Sequence, residues 1–153
     1  MGDVVKSVAG VSLSDLLAEM RGLQEMSLRE RCDLGVGEVV HQGDVYLHRV
    51  PNDWPRGQEW GSRQVAVGHS VGSRHVATGE SVEVYAGKKL PEALNGLTGN
   101  ARSAVLGPVV VVSGKMVLTH PEHADAQVTS TKGSHTYQVT YQLDWSRQQR
   151  VQD

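Results

Sequence analysis

Residues 107–145 read GPVVVVSGKMVLTHPEHADAQVTSTKGSHTYQVTYQLDW. The stretch alternates short β-branched runs with turn formers. Val109 to Val112 is a continuous apolar run, and Ser113-Gly114 supplies a two-residue turn into Lys115 to Thr119. Another strand follows at Ala126 to Thr129, and Lys132-Gly133 turns the chain into Ser134 to Leu143. In that last run Tyr137, Val139, Tyr141 and Leu143 alternate with Gln138, Thr140 and Gln142. The period of two predicts a half-buried strand with the first set facing a core and the second facing solvent or a partner. Between the runs lies His120-Pro121-Glu122-His123, a polar corner with two histidines and a proline that fixes φ. An antiparallel β-domain with a histidine-bearing turn is the expectation.

The rest of the chain agrees with that reading. With 153 residues it fits one domain with a sizeable core. It has no Phe, so three Trp and four Tyr are the large anchors in a core of Val, Leu and Ala. Valine is stiff at χ1 and suits a pleated surface. Val39, Val40, Val45, Leu47 and Val50 outline two strands with Gln42-Gly43-Asp44 as a turn or bulge. Residues Pro51 to Ser62 read as a loop, from which Trp54 and Trp60 either fold over the core or contact a partner. Strands are predicted at Arg63 to Gly68 and Glu80 to Tyr85. Lys88 to Ser103, with Pro91 and two Asn/Gly pairs, reads as a flexible or contact-making insertion in which PEALNGL supplies one helical turn.

Near the N-terminus Ser12 and Asp15 have the spacing of a capping-box variant, and Leu13, Leu16, Leu17 and Met20 follow at i, i+3, i+4 and i+7. That predicts an amphipathic helical arm whose apolar face packs on the domain or on a partner. The expected organisation is therefore an arm over residues 1–35, a β-domain over 36–145 and a polar, peripheral tail over 146–153. The fold class is mainly β, a small antiparallel barrel or sandwich of about seven to nine strands.

Charge and motifs exclude several function classes. The net charge of -2 leaves no basic footprint for nucleic acid. No apolar run reaches the length a helical membrane span needs, and the first residues lack the apolar segment of a signal peptide. The single Cys32 excludes an intramolecular disulfide and a cysteine zinc cluster. No nucleophile elbow, dinucleotide fingerprint or P-loop is present. What remains is a histidine constellation. His75, His120 and His123, with Glu80 or Glu122, are the candidate ligands of a divalent transition metal, and scattering of these residues over the surface is the alternative.

Four segments carry a resemblance. Gln42-Gly43-Asp44-Val45, the corner Gly72 to His75, His120-Pro121-Glu122-His123 and Tyr137-x-Val139-x-x-Gln142 resemble those of a group of small β-proteins of bacteria and their phages, over about Val39 to Asp153. That group has no agreed activity, so the resemblance implies a β-fold alone. It usually shows Gly-His-x-His at the first corner, where this chain has Ser73 in place of the first histidine. The two histidine corners are also similar to the metal motifs of cupins, with a different spacing. The reading is a non-catalytic binding or assembly module, of the kind a phage or phage-derived, virion-associated structural component would be. It works through a protein partner or self-assembly, with no cofactor, in the cytoplasm or, if phage-encoded, the virion. Its contact residues are Leu13, Leu16, Leu17, Met20, Trp54 and Trp60. A cupin-like metal protein or enzyme using His75, His120 and His123 is the alternative, and a small regulatory accessory protein is a third reading.

Overall fold

A computed structural model describes residues 30–67, 74–144, 146 and 149–151. The predicted helical arm, with Leu13, Leu16, Leu17 and Met20, lies outside the described residues. What can be corrected is its boundary. β1 (Glu30–Cys32) pairs in parallel with Gln127 to Thr129, and Leu34 is buried in the core. The sheet thus begins ahead of residue 36.

Three long strands make the framework: β6 (Arg74–Gly87), β7 (Leu106–His120) and β8 (His123–Tyr141). Around them lie β2 (Val39–Gln42), β3 (Val45–Val50), β4 (Arg56–Glu59) and β5 (Gln64–Val67). The main order is β2-β3-β8-β7-β6-β4, with β1 joined to β8 and β5 joined to β6. All pairings in this sheet are antiparallel except that of β1. No closed barrel forms among the described residues, because the order ends on β2 and β4. β4 stands within the segment predicted to be a loop.

Two of the predicted turns are bulges instead. β7 runs unbroken through Ser113-Gly114, and β8 runs through Lys132-Gly133. Ser113 pairs with Ser134 but Gly114 pairs with Ser130, so residues 131–133 bulge out of the ladder. Beside them, the β6–β7 register shifts between Gly79 and Ser81. The irregularities of three neighbouring strands fall in one band across the sheet. Bulges bend and twist strands, so the band is where the sheet curls. Gly114 and Gly133 take φ of +78° and +87°, which side chains with a Cβ rarely adopt. Glycine there signals a positive φ, and sequence alone does not say whether a hairpin or a bulge uses it.

The curl closes on one core. Val40, Val45, Leu47, Val65, Ala77, Val110, Val112, Met116, Leu118, Val128, Tyr137 and Val139 are buried in a single cluster. Tyr141 Oη donates to Val65 O at 2.5 Å, tying the end of β8 to β5. Tyr137 and Val139 face the core as predicted. Gln138 and Thr140, predicted to face outward, are also buried. Gln138 Nε2 donates to Gly107 O at 2.7 Å and Pro108 O at 3.2 Å, and its Oε1 accepts the Trp54 indole N–H at 3.0 Å. Thr140 Oγ1 lies 2.7 Å from His48 Nε2. Satisfied hydrogen bonds let these polar side chains go under cover. Trp54 is therefore a half-buried lid, whereas Trp60 is 42% exposed.

The segment predicted to be a flexible insertion is ordered. It carries a 3-10 turn at Glu92–Leu94, the predicted helical turn, and helix α1 (Gly99–Val105), which buries Ala101 and Val105. The tail is not peripheral either. β9 (Leu143–Asp144) pairs with β10 (Gln149–Arg150), and the Val151 N–H donates to Gln142 O at 2.8 Å.

Candidate functional site

The predicted corner forms as expected: β7 ends at His120, β8 starts at His123, and the two residues are cross-strand partners. β6 is the other neighbour of β7, and its second residue is His75. Adjacent strands therefore bring His75 beside the corner despite the separation in sequence. The ring centroids of His75 and His120 are 4.3 Å apart, those of His120 and His123 are 4.5 Å apart, and those of His75 and His123 are 6.1 Å apart. The three histidines are gathered, not scattered. Of the two carboxylates weighed with them, Glu80 is an exposed residue of the bulged band and Glu122 is an exposed residue of the corner itself.

Burial grades across the trio. His75 is fully buried, His120 nearly so, and His123 is half-buried. His75 is held by two residues that sequence reading did not place in the site. Gln42 Nε2 donates to Leu118 O at 2.9 Å and to Ala124 O at 2.8 Å, which uses both of its amide hydrogens. Its Oε1 must then be the acceptor toward His75 Nδ1, 2.9 Å away, so Nδ1 carries a proton. The other ring nitrogen, Nε2, lies 3.3 Å from Asp44 Oδ1. Asp44 is buried, and its Oδ2 lies 3.7 Å from Arg150 Nη2. Arg150 in turn stacks on Tyr141, 4.2 Å from the ring centroid. Burial pushes the Tyr141 hydroxyl up to about 12.

A short hairpin sets this geometry. Gln42 pairs with Val45 across a two-residue loop, Gly43-Asp44, with Gly43 at φ +58°. Glycine in the first position is what such a loop demands. The loop aims Gln42 and Asp44 at the same ring from two points of one turn. The sequence signal was present in Gln42-Gly43-Asp44, but it reads as turn chemistry until the topology puts His75 against it.

Among the described residues no group of three or more His, Cys, Asp or Glu side chains is placed to hold a metal ion. His120 Nδ1 accepts the Glu122 backbone N–H at 3.0 Å, so the neutral ring carries its proton on Nε2. Asp44, His75, His120 and His123 each make further interactions beyond these.

Comparisons of the chain with protein-family models, with curated proteins and with solved structures find no match. No helix among the described residues is long and apolar enough to cross a membrane.

Proposed function

We propose that this chain is a non-catalytic binding or assembly module that engages a protein partner, or another copy of itself, along the outer edge of β2. One observation carries the reading. Three large hydrophobic residues are exposed among the described residues, and two of them, Val36 at 62% and Val39 at 41%, lie on or beside that edge. β2 has β3 as its only strand partner among the described residues. An edge strand presents unpaired N–H and C=O groups that template a further strand. Edges that must stay single are usually blunted with Lys, Pro or a bulge, and Val39-Val40-His41-Gln42 has none of these. A virion-associated role is one form that such assembly would take, and the open edge is what supports assembly. The histidine network fits a structural part in it: Gln42, Asp44, His75 and Arg150 pin the β2–β3 loop, the β7–β8 hairpin and the tail together.

Sedimentation velocity of the wild type and of Val39→Lys tests the edge. The expected result is a wild-type species heavier than the monomer and a monomeric Val39→Lys with an unchanged melting temperature. A wild type that stays monomeric at high concentration, with rapidly exchanging β2 amides, would refute self-association through this edge.

A divalent metal is the second reading, favoured by the gathering of the histidines. The 3.3 Å between His75 Nε2 and Asp44 Oδ1 is close to the separation of two ligands on one tetrahedral ion with bonds of about 2.1 Å. Titration of Zn²⁺, Ni²⁺ or Fe²⁺ into the wild type and a His120→Ala, His123→Ala double variant decides it. Stoichiometric micromolar binding that disappears in the variant would replace the first reading with this one.

A further inference from the structure

At the opposite end of β3 from the histidine network lies a second polar group that the edge reading does not use. Along β3, Val45, Leu47 and Arg49 share the core-facing side, so Arg49 brings a guanidinium into the position of a core residue. Its direct cross-strand partner is Tyr137, and His135 precedes Tyr137 by one step on the same face of β8. Arg49 Nη1 donates to Val50 O. Arg49 Nε, the Tyr137 hydroxyl and His135 Nδ1 are all buried with no hydrogen-bond partner. Arg49 is 9% exposed and Tyr137 is 0% exposed.

Three stranded polar atoms on neighbouring positions are unusual, because a buried donor without a partner forfeits the bonds that water gives it in the unfolded chain. The nearby carboxylate, Asp33, does not serve them. It accepts the Thr131 N–H at 2.9 Å and the Thr131 hydroxyl, and the Cys32 thiol is 3.5 Å away. Those bonds hold the Asp33 carboxyl below its usual range. Its Oδ1 is 3.8 Å from His135 Nε2, beyond hydrogen-bonding reach, so a neutral His135 can carry its proton on Nδ1.

We propose that Arg49, Tyr137 and His135 form a binding site for a small carboxylate. One oxygen accepts from the Arg49 Nε–H and the other from the Tyr137 hydroxyl, with the His135 Nδ1–H as a third donor. A carboxylate matches the need in charge and in acceptors, since an ionised acceptor beside a guanidinium makes the stronger kind of hydrogen bond.

The test uses the full chain with acetate or formate as the probe and chloride at matched ionic strength as the control. Isothermal titration is expected to show one saturable carboxylate per chain, together with a raised melting temperature that chloride does not give. Tyr137→Phe removes a hydroxyl that bonds nothing, so the fold should survive while affinity falls about tenfold, the effect of about 1.4 kcal/mol. Arg49→Met should abolish binding. No saturable binding in the wild type, an equal effect of chloride, or wild-type affinity in a folded Tyr137→Phe would each overturn the proposal.

Discussion

Replacing Gln42 by Leu should cost more stability than any surface change, and the structure says how much. The Gln42 amide joins four strands: it belongs to β2, donates to Leu118 O on β7 and Ala124 O on β8, and accepts from His75 on β6. Leucine keeps the volume and removes all three bonds. The two carbonyls lose bonds worth about 1 kcal/mol each, and the stranded His75 N–H costs about 1–3 kcal/mol more. The expected loss is thus about 3–5 kcal/mol, a large part of the 5–15 kcal/mol that holds a typical domain. Gln42→Glu should be at least as harmful, because it sets a carboxylate oxygen against two carbonyl oxygens. Urea unfolding followed by fluorescence measures both. If Gln42→Leu unfolds within about 0.5 kcal/mol of the wild type, the ordinary scatter of surface changes, the amide is not a tie and the tautomer argument for His75 fails with it.

Two further outcomes follow from the same coordinates. A Cβ at Gly79 would stand 2.5 Å from Lys115 O and 2.8 Å from Val82 Cγ2. Gly79→Ala must therefore push strands apart at the bend and should destabilise by about 1–3 kcal/mol, read as a lower melting temperature. An unchanged melting temperature would show that the bend is loose. Burial raises the Tyr137 and Tyr141 hydroxyls to about 12 from 10.0. The unfolded chain then releases these protons first, so their contribution is intact below pH 10 and is lost as pH rises through about 12. Each contributes at most about 3 kcal/mol at about 1.4 kcal/mol per unit. Absorbance at tyrosinate wavelengths and unfolding should change together over that window. Ionisation of all four tyrosines near pH 10 without unfolding would contradict their burial.

The class of the fold was legible because its signals are local. Alternation in Ser134 to Leu143, β-branched runs and glycine at turn positions depend only on near neighbours, and each marks a strand or its end. His120-Pro121-Glu122-His123 was legible as a corner for the same reason. Other local signals misled. Glycine at 114 and 133 has the positive φ of a turn, yet the ladder on both sides continues through it. Gln138 and Thr140 have the polarity of an outer face, yet Trp54, Gly107 and His48 supply them with bonds that sequence spacing cannot list. By itself, then, the sequence determined a mainly β chain and the histidine hairpin. Only the tertiary structure decided that the three histidines meet, that Gln42 and Asp44 grip His75, and that Arg150 brings the tail back onto Tyr141. Gln42 lies 33 positions from His75 and Asp44 lies 106 from Arg150, and strand order, which no local pattern encodes, is what closes those distances.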